Sequence, residues 1–433
     1  MEACDVIDRN EELLLRLLRA ALNEERLPPA ALSKPPEPAE PPDWDAILQE
    51  AGAQTVLGLI AEVLPDEVAA AARSEALRLK AKFMRILHGQ TELVSLFHSA
   101  GIPLVILKGM AAAVYYPKPH TRAMGDVDFL VPRERFSDAM RLMEENGYLP
   151  LESHADAPPE HPGERPGERP EERQPDRASD SARPADRQPP APPAEAPRHV
   201  QYAKGGVEYE LHHHFSSFGL DLEPILLNGF ERAETRAIAG REFPTLPNPE
   251  NALVLLAHIR QHLLESGLGL RQIIDWMQCL KNLSAEETAR LQAYARRTGL
   301  DTLAGAINRI CNQYLGTAFS WTADVDPMTV EALLEHLFER GNFGRKLGTD
   351  RPVEAVSLSI REQGFFPYLQ SMGLLHWEAA RRHAFLRPFA WLHTVCRYAG
   401  KGTKLLFRAP GSVQAQLSGG MKTKELLRRL DLD

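Results

Sequence analysis

Two short segments that are typical of buried strands place the tightest limit on the fold. Leu104–Leu107 is wholly apolar, and Asp126–Val131 becomes apolar after its second aspartate. Runs this short, bounded by glycine and polar residues, favour strands over helices. Residues 110–116 and 133–146 carry helical spacing, and Gly147 supplies a natural end for the second of these helices. The order strand–helix–strand–helix predicts an α/β or α+β core.

Helical patterns surround this core on both sides. Apolar residues at helical spacing, together with N-cap and proline signals, mark the beginnings of these helices. The helices predicted before the core span residues 10–26, 43–60 and 65–100. The helices predicted after it span 250–265, 269–282, 284–297, 301–314 and 328–339.

The middle of the chain combines two hairpins with an unusual insertion. Val200–His212 predicts a hairpin turning at Gly205-Gly206, and Ala233–Leu246 predicts another turning at Gly240. Residues 152–198 lack large apolar residues and contain a repeated Pro-Gly-Glu-Arg unit at 162–169, so we predict a disordered Pro-rich insertion. We therefore divide the chain into a helical N-terminal region (1–100), a core (101–247), a helical domain (248–350) and a helical, basic and aromatic C-terminal region (351–433).

Composition restricts the setting and the partners of the chain. The formal net charge of -9 argues against a broad nucleic-acid-binding surface. We expect no transmembrane segment, because no apolar run is long enough to cross a membrane. We also expect no signal peptide, because no apolar run follows Met1. The four cysteines are widely separated, which favours a reducing compartment and a cytoplasmic protein. The tail from Arg381 to Arg408 predicts a docking helix, with contact to an anionic membrane surface as the alternative.

The functional interpretation depends on Asp126 and Asp128. Alternate side chains of a strand face the same way, so both carboxylates would project from one face while Val127 and Phe129 pack into the core. Adjacent carboxylates repel each other unless a cation lies between them, and hard oxygen ligands suit Mg²⁺. Only this copy of Asp-x-Asp runs into an apolar strand; the others occur at 43–45, 324–326 and 431–433.

Further candidate residues lie before and after this pair. Lys108 and Gly109 stand where the first strand meets a helix N-terminus, whose free N–H groups bind phosphate. Arg122 is a second candidate cation. Glu210 would complete a carboxylate triad if its strand pairs beside Asp128, and two metals held by such acids align a hydroxyl and a leaving pyrophosphate. The alternative for each of these charged residues is a solvated surface position.

Over roughly residues 75–400, apart from the insertion, the chain resembles a bacterial nucleotidyltransferase family. This family is a distant branch of the polymerase-β-like superfamily. The residues that carry the resemblance are Leu107-Lys108-Gly109, Arg122, Asp126–Val131, Asn146-Gly147-Tyr148, Glu210-Leu211-His212, Leu246–Glu250, the helix with His258 and His262, Leu270–Asp275 and, less specifically, Gly341–Gly344. The resemblance implies an α+β fold: a polymerase-β-like core with a short mixed sheet and flanking helices, followed by a helical domain.

The resemblance also implies an activity and a role for each candidate residue. The activity is Mg²⁺-dependent transfer of a nucleoside monophosphate from NTP to a small-molecule, sugar or protein acceptor. The implied metal ligands and catalytic acids are Asp126, Asp128 and Glu210, of which Glu210 would help to deprotonate the acceptor. The implied triphosphate contacts are Lys108, Gly109 and Arg122.

Two features keep other functions open. Met110 follows Gly109 where the wider superfamily usually has serine, so the alternative is a catalytically weak or inactive nucleotide-binding module. His212–His214 with His258 and His262 would suit a metallohydrolase site. No glutamate follows His258 in the H-E-x-x-H manner, so we favour histidines that pack between the helices and the sheet or line the acceptor pocket.

Overall fold

A computed structural model describes most of the core and of the helical domain. The described residues are 7–23, 42–151, 199–214, 220, 222–265, 267–322, 324–342, 366, 369–370, 373–374, 377, 384–395 and 422–432. The predicted disordered insertion at 152–198 and most of the tail from Arg381 to Arg408 lie outside the described residues.

The N-terminal region is helical, as the apolar spacing predicts. Its helices are α1 (Arg9–Leu22), α2 (Trp44–Ala53), α3 (Leu57–Ile60) and α4 (Asp66–Ser99). Asp8 and Glu11 form a capping box at the start of α1, and Asp43 caps α2. The prediction of one continuous helix over 43–60 is wrong, because Thr55 has a φ of 56° and breaks it.

One mixed sheet of seven strands forms the centre of the core. Its strands are β1 (Val105–Leu107), β2 (Val127–Leu130), β3 (Leu149–Pro150), β4 (His199–Lys204), β5 (Val207–His212), β6 (Glu234–Ile238) and β7 (Arg241–Thr245). Their spatial order is β3-β4-β5-β2-β1-β7-β6. The pairs β2/β5 and β1/β7 are parallel, and the other neighbours are antiparallel. Both predicted hairpins are confirmed as β4–β5 and β6–β7.

Helices connect the strands and continue beyond the sheet. Two short helices, α5 (Gly109–Ala113) and α6 (Phe136–Glu145), follow β1 and β2, and α7 (Glu223–Glu231) precedes β6. Gly147, with a φ of 79°, follows α6 where a left-handed C-cap is expected. The helical domain contains α8 (Asn248–Glu265), α9 (Leu270–Lys281), α10 (Ala285–Arg297), α11 (Asp301–Tyr314) and α12 (Pro327–Arg340), close to the predicted bounds.

The two faces of the sheet pack into different apolar cores. Phe83 and Phe97 of α4 pack with Val127 and Phe129 on one face. The opposite face contributes Leu107 and other residues to a larger core shared with α1, α8 and α9. Side chains at the even-numbered positions of β2 therefore point towards the helical domain, and this places the polar residues described below between sheet and helices.

Within the described ranges, no helix combines the length and the apolar character needed to cross a bilayer.

Candidate active site

Strand register brings the acidic residues together at the middle of the sheet. In the parallel pair β2/β5, Asp128 is the partner of Glu210, and in the antiparallel pair β1/β2 it is the partner of Leu107. The expected pairing of the Glu210 strand beside Asp128 is therefore confirmed. Lys108 directly follows Leu107, so the strand register places it close to Asp128 and Glu210.

The alternation of β2 separates core residues from candidate ligands. Val127 and Phe129 are 2% and 0% exposed, and the Phe129 ring meets Phe97 edge-on at 5.4 Å between centroids. These contacts anchor the strand through its apolar face. Asp128 projects from the other face yet is only 3% exposed, so it depends on partners within the protein.

Lys108 supplies the nearest positive charge. Its Nζ donates to Asp128 Oδ1 at 2.8 Å. Its backbone has φ 46° and ψ -119°, a conformation that costs a residue with a Cβ roughly 1–3 kcal/mol. Strain of this kind at a polar cluster is typical of a position selected for its side chain rather than for stability.

Gly109 begins α5 close to the acidic segment. A Cβ added at Gly109 would lie 3.5 Å from the backbone oxygen of Asp126. The helix α5 has only five residues, so its dipole is small and the charge of Lys108 is the stronger attraction for an anion.

Two side chains outside the proposed carboxylate triad complete the acidic cluster. His212 Nε2 lies 3.1 Å from Asp128 Oδ1 and 3.4 Å from Glu210 Oε2. Gln201 Nε2 donates to Glu210 Oε1 at 2.6 Å. In the part of the chain that the structure describes, the cluster able to offer three ligand atoms to one metal is Asp128, Glu210 and His212, whose atoms lie within 4.8 Å of one another. The hairpin register, which pairs Gln201 with Glu210, was the sequence signal for the glutamine.

The carboxylates have opposite pKa shifts. Burial, followed by the charges of Asp128 and Glu210, raises the pKa of Asp126 to about 7. Burial would also raise the pKa of Asp128, but the charge of Lys108 and the hydrogen bond from His212 hold it well below its usual value. The charges of Asp128 and Glu210 thus add to the effect of burial on Asp126, and a divalent cation beside these acids would oppose both.

Arg122 is engaged within the protein. Its Nε and Nη2 donate to the two carboxylate oxygens of Asp275, each at 2.7 Å, and Tyr116 donates to the same carboxylate at 2.6 Å. Nη1 of Arg122 contacts the Ala123 oxygen at 3.3 Å and Met124 Sδ at 3.0 Å. This buried pair fastens the segment before β2 to α9. Direct contact of Arg122 with a triphosphate stays a prediction.

Another cation, Arg271 of α9, was not singled out from the sequence. Its Nη1 donates to the Ala123 oxygen at 3.3 Å, and its charge offsets a part of the rise in the pKa of Asp126. Arg271 thus holds a positive charge beside the first carboxylate from the side of the helical domain. Its place one residue into α9, within the Leu270–Asp275 motif, was the available signal.

The histidines of α8 form a close pair. The Nε2 atoms of His258 and His262 are 2.9 Å apart, as the i, i+4 spacing allows. Burial lowers the pKa of both rings, to about 3 for His262, so both are neutral at pH 7. The charges of Lys108 and Asp128 also act on both rings. Asp275 of the neighbouring helix α9 binds Arg122 and Tyr116.

The fold and the site together define a nucleotidyltransferase-type protein. Paired carboxylates on a mixed sheet face a strained lysine and a glycine-initiated helix, with a helical domain behind them. A family model described as "Uncharacterised nucleotidyltransferase" matches residues 40–316. Because this match spans more than half of the chain, the chain belongs to that family of nucleotidyltransferase enzymes.

Comparisons with individual proteins add little beyond the family. No curated protein matches the sequence. The solution structure of the antibiotic-resistance factor ANT(2'')-Ia matches with a TM-score of 0.30 and 14% identity, over 48% of this chain and 92% of that one. The crystal structure of ANT(2'')-Ia in complex with adenylyl-2''-tobramycin matches with a TM-score of 0.30 and 13% identity, over 49% and 97%.

Proposed function

We propose that this protein transfers a nucleoside monophosphate from NTP to an acceptor hydroxyl and releases pyrophosphate. The observation that carries the proposal is the juxtaposition of Asp128, Glu210 and Lys108 on neighbouring strands, with Asp126 directly before β2. Membership in the nucleotidyltransferase family supports the same reaction class. The acceptor that we propose is a small molecule, a sugar or a protein.

The donor set fits divalent metal ions. Asp128 and Glu210 offer carboxylate oxygens in adjacent register positions, and burial together with the charges of these two acids raises the pKa of Asp126. We propose that Asp126, Asp128 and Glu210 hold two divalent cations, which when bound would neutralise phosphate charge and favour ionisation of the acceptor hydroxyl.

The protein groups then act on the two substrates. Lys108 exchanges its contact with Asp128 for a phosphate oxygen, while the N–H groups after Gly109 receive the triphosphate. Arg122 and Arg271 add positive charge on the side of α9. Glu210 takes the proton of the acceptor hydroxyl. The new bond joins the acceptor oxygen to the α-phosphorus as the bond to pyrophosphate breaks.

The proposal is tested by incubating the full chain with each labelled NTP, Mg²⁺ and fractionated candidate acceptors. Release of pyrophosphate should match the label found in the acceptor. Asp126→Asn and Asp128→Asn should each reduce transfer at least about 100-fold, because several kcal/mol of charge stabilisation is lost. Glu208→Gln, which removes an exposed carboxylate from the same strand as Glu210, is the matched control. Full transfer by either asparagine variant would refute the assigned site.

A second candidate function is a nucleotide-binding module without turnover. Met110 favours it, because this side chain is 1% exposed and packs in the core behind the sheet, so the position after Gly109 offers no hydroxyl to a phosphate. One experiment distinguishes the two candidate functions. A module binds NTP in equilibrium dialysis but releases no pyrophosphate with any acceptor.

A further inference from the structure

The metal cluster described above contains a nitrogen ligand as well as oxygen ligands. His212 Nε2 approaches both Asp128 Oδ1, at 3.1 Å, and Glu210 Oε2, at 3.4 Å. Its side chain is only 9% exposed, so the ring is held in this place by the surrounding protein. The nitrogen therefore points into the space between the two carboxylates rather than towards solvent.

The chemistry of this donor set differs from that of a site made only of acids. Mg²⁺ prefers oxygen ligands and strict octahedral geometry, whereas imidazole nitrogen suits first-row transition ions. Among those ions Mn²⁺ is the one that, like Mg²⁺, suits carboxylate and water ligands.

We infer that His212 Nε2 is a direct ligand of the metal held by Asp128 and Glu210, and that this site binds Mn²⁺ in preference to Mg²⁺. The inference rests on the proposed function, because it assigns the identity of a metal in that same site. In the metal-bound form Nε2 carries no proton, and the ring keeps its proton on Nδ1. The hydrogen bond that His212 shares with Asp128 is then replaced by two bonds to one cation.

A purely positioning role for His212 is the competing explanation. In that case Nε2–H holds Asp128 by a hydrogen bond and stays outside the metal's ligand shell. Loss of the ring would then weaken Mg²⁺ and Mn²⁺ binding alike, through the misplaced carboxylate. A direct bond would instead weaken Mn²⁺ binding far more than Mg²⁺ binding, because nitrogen matters chiefly to the transition ion.

The test uses the metal-free full chain with Mn²⁺ alone as the probe. Pulsed electron paramagnetic resonance detects nitrogen bonded to Mn²⁺, and loss of the free-ion signal gives the affinity. His212→Gln should abolish the nitrogen signal and weaken Mn²⁺ binding at least about tenfold. Mg²⁺ competition should change much less. His213→Gln is the matched control, because the neighbouring ring packs against Phe136 at 4.4 Å between centroids.

The outcomes separate this inference from the proposed function. Mn²⁺ binding that is lost in Asp128→Asn but shows no nitrogen signal would overturn the role of His212 and leave the proposed function standing. The role of His212 would also be overturned if His212→Gln, shown to be folded by circular dichroism, weakens the binding of Mn²⁺ and of Mg²⁺ equally. Mn²⁺ binding that is unaffected by Asp126→Asn and Asp128→Asn would refute the proposed site itself.

Discussion

Replacing Asp126 with asparagine should stabilise the metal-free protein, and the gain should grow with pH. Burial and two neighbouring carboxylates raise the pKa of Asp126 from 3.8 to about 7. The folded protein therefore binds a proton that the unfolded chain has already released at pH values between these two. Stability falls as pH rises through this window, and the loss is complete above pH 7.

The magnitude follows from the size of the rise in pKa. Each tenfold change in an equilibrium constant is about 1.4 kcal/mol, so ionised Asp126 costs the metal-free protein about 4 kcal/mol above pH 7. About 2 kcal/mol of this cost develops between pH 5.5 and pH 8. Asparagine keeps the shape of the side chain without the charge, so the variant should not pay this penalty.

Urea unfolding in EDTA measures the difference between the two proteins. Asp126→Asn should have a higher unfolding free energy than the natural chain. The difference between the two proteins should be about 2 kcal/mol larger at pH 8 than at pH 5.5. Glu208→Gln controls for the loss of one charge. Saturating Mg²⁺ or Mn²⁺ should reverse the order, because a bound cation stabilises the ionised carboxylate. A stability difference that stays constant between the two pH values would refute the electrostatic reasoning.

Three further experiments test the surroundings of the site. Lys108→Gly should be about 1–3 kcal/mol more stable than Lys108→Ala in urea unfolding, because only glycine relaxes the backbone at φ 46°; equal stabilities would contradict the strain. Arg122→Met should cost about 3–5 kcal/mol in the same assay by leaving Asp275 buried without its cation, and adding Asp275→Asn should restore part of that loss. Phe129→Ala should cost about 3–5 kcal/mol of unfolding free energy and weaken Mn²⁺ binding, since the strand that carries Asp128 loses its anchor. Unchanged metal affinity would contradict the link between this anchor and the position of Asp128.

Much of the fold was predictable because local patterns and local structure coincide. The alternation around Asp128 predicted the strand and the face on which Asp128 lies, and Gly240 marked the turn of the second hairpin. The helices after residue 249 followed their apolar spacing closely. The break at Thr55 was missed, because a single non-glycine residue with positive φ leaves no pattern in the chain.

The sequence by itself determined the local elements and the face of β2 and β5 on which Asp128 and Glu210 lie, since the spacing within a strand fixes the face of each side chain. Only the tertiary structure decided which side chains meet. Asp275 binds Arg122 from 153 residues away, and His212 reaches Asp128 from 84 residues away. Such partners depend on strand order and on the packing of α9 against the sheet, and these are set by the burial of the whole core rather than by any local run of residues.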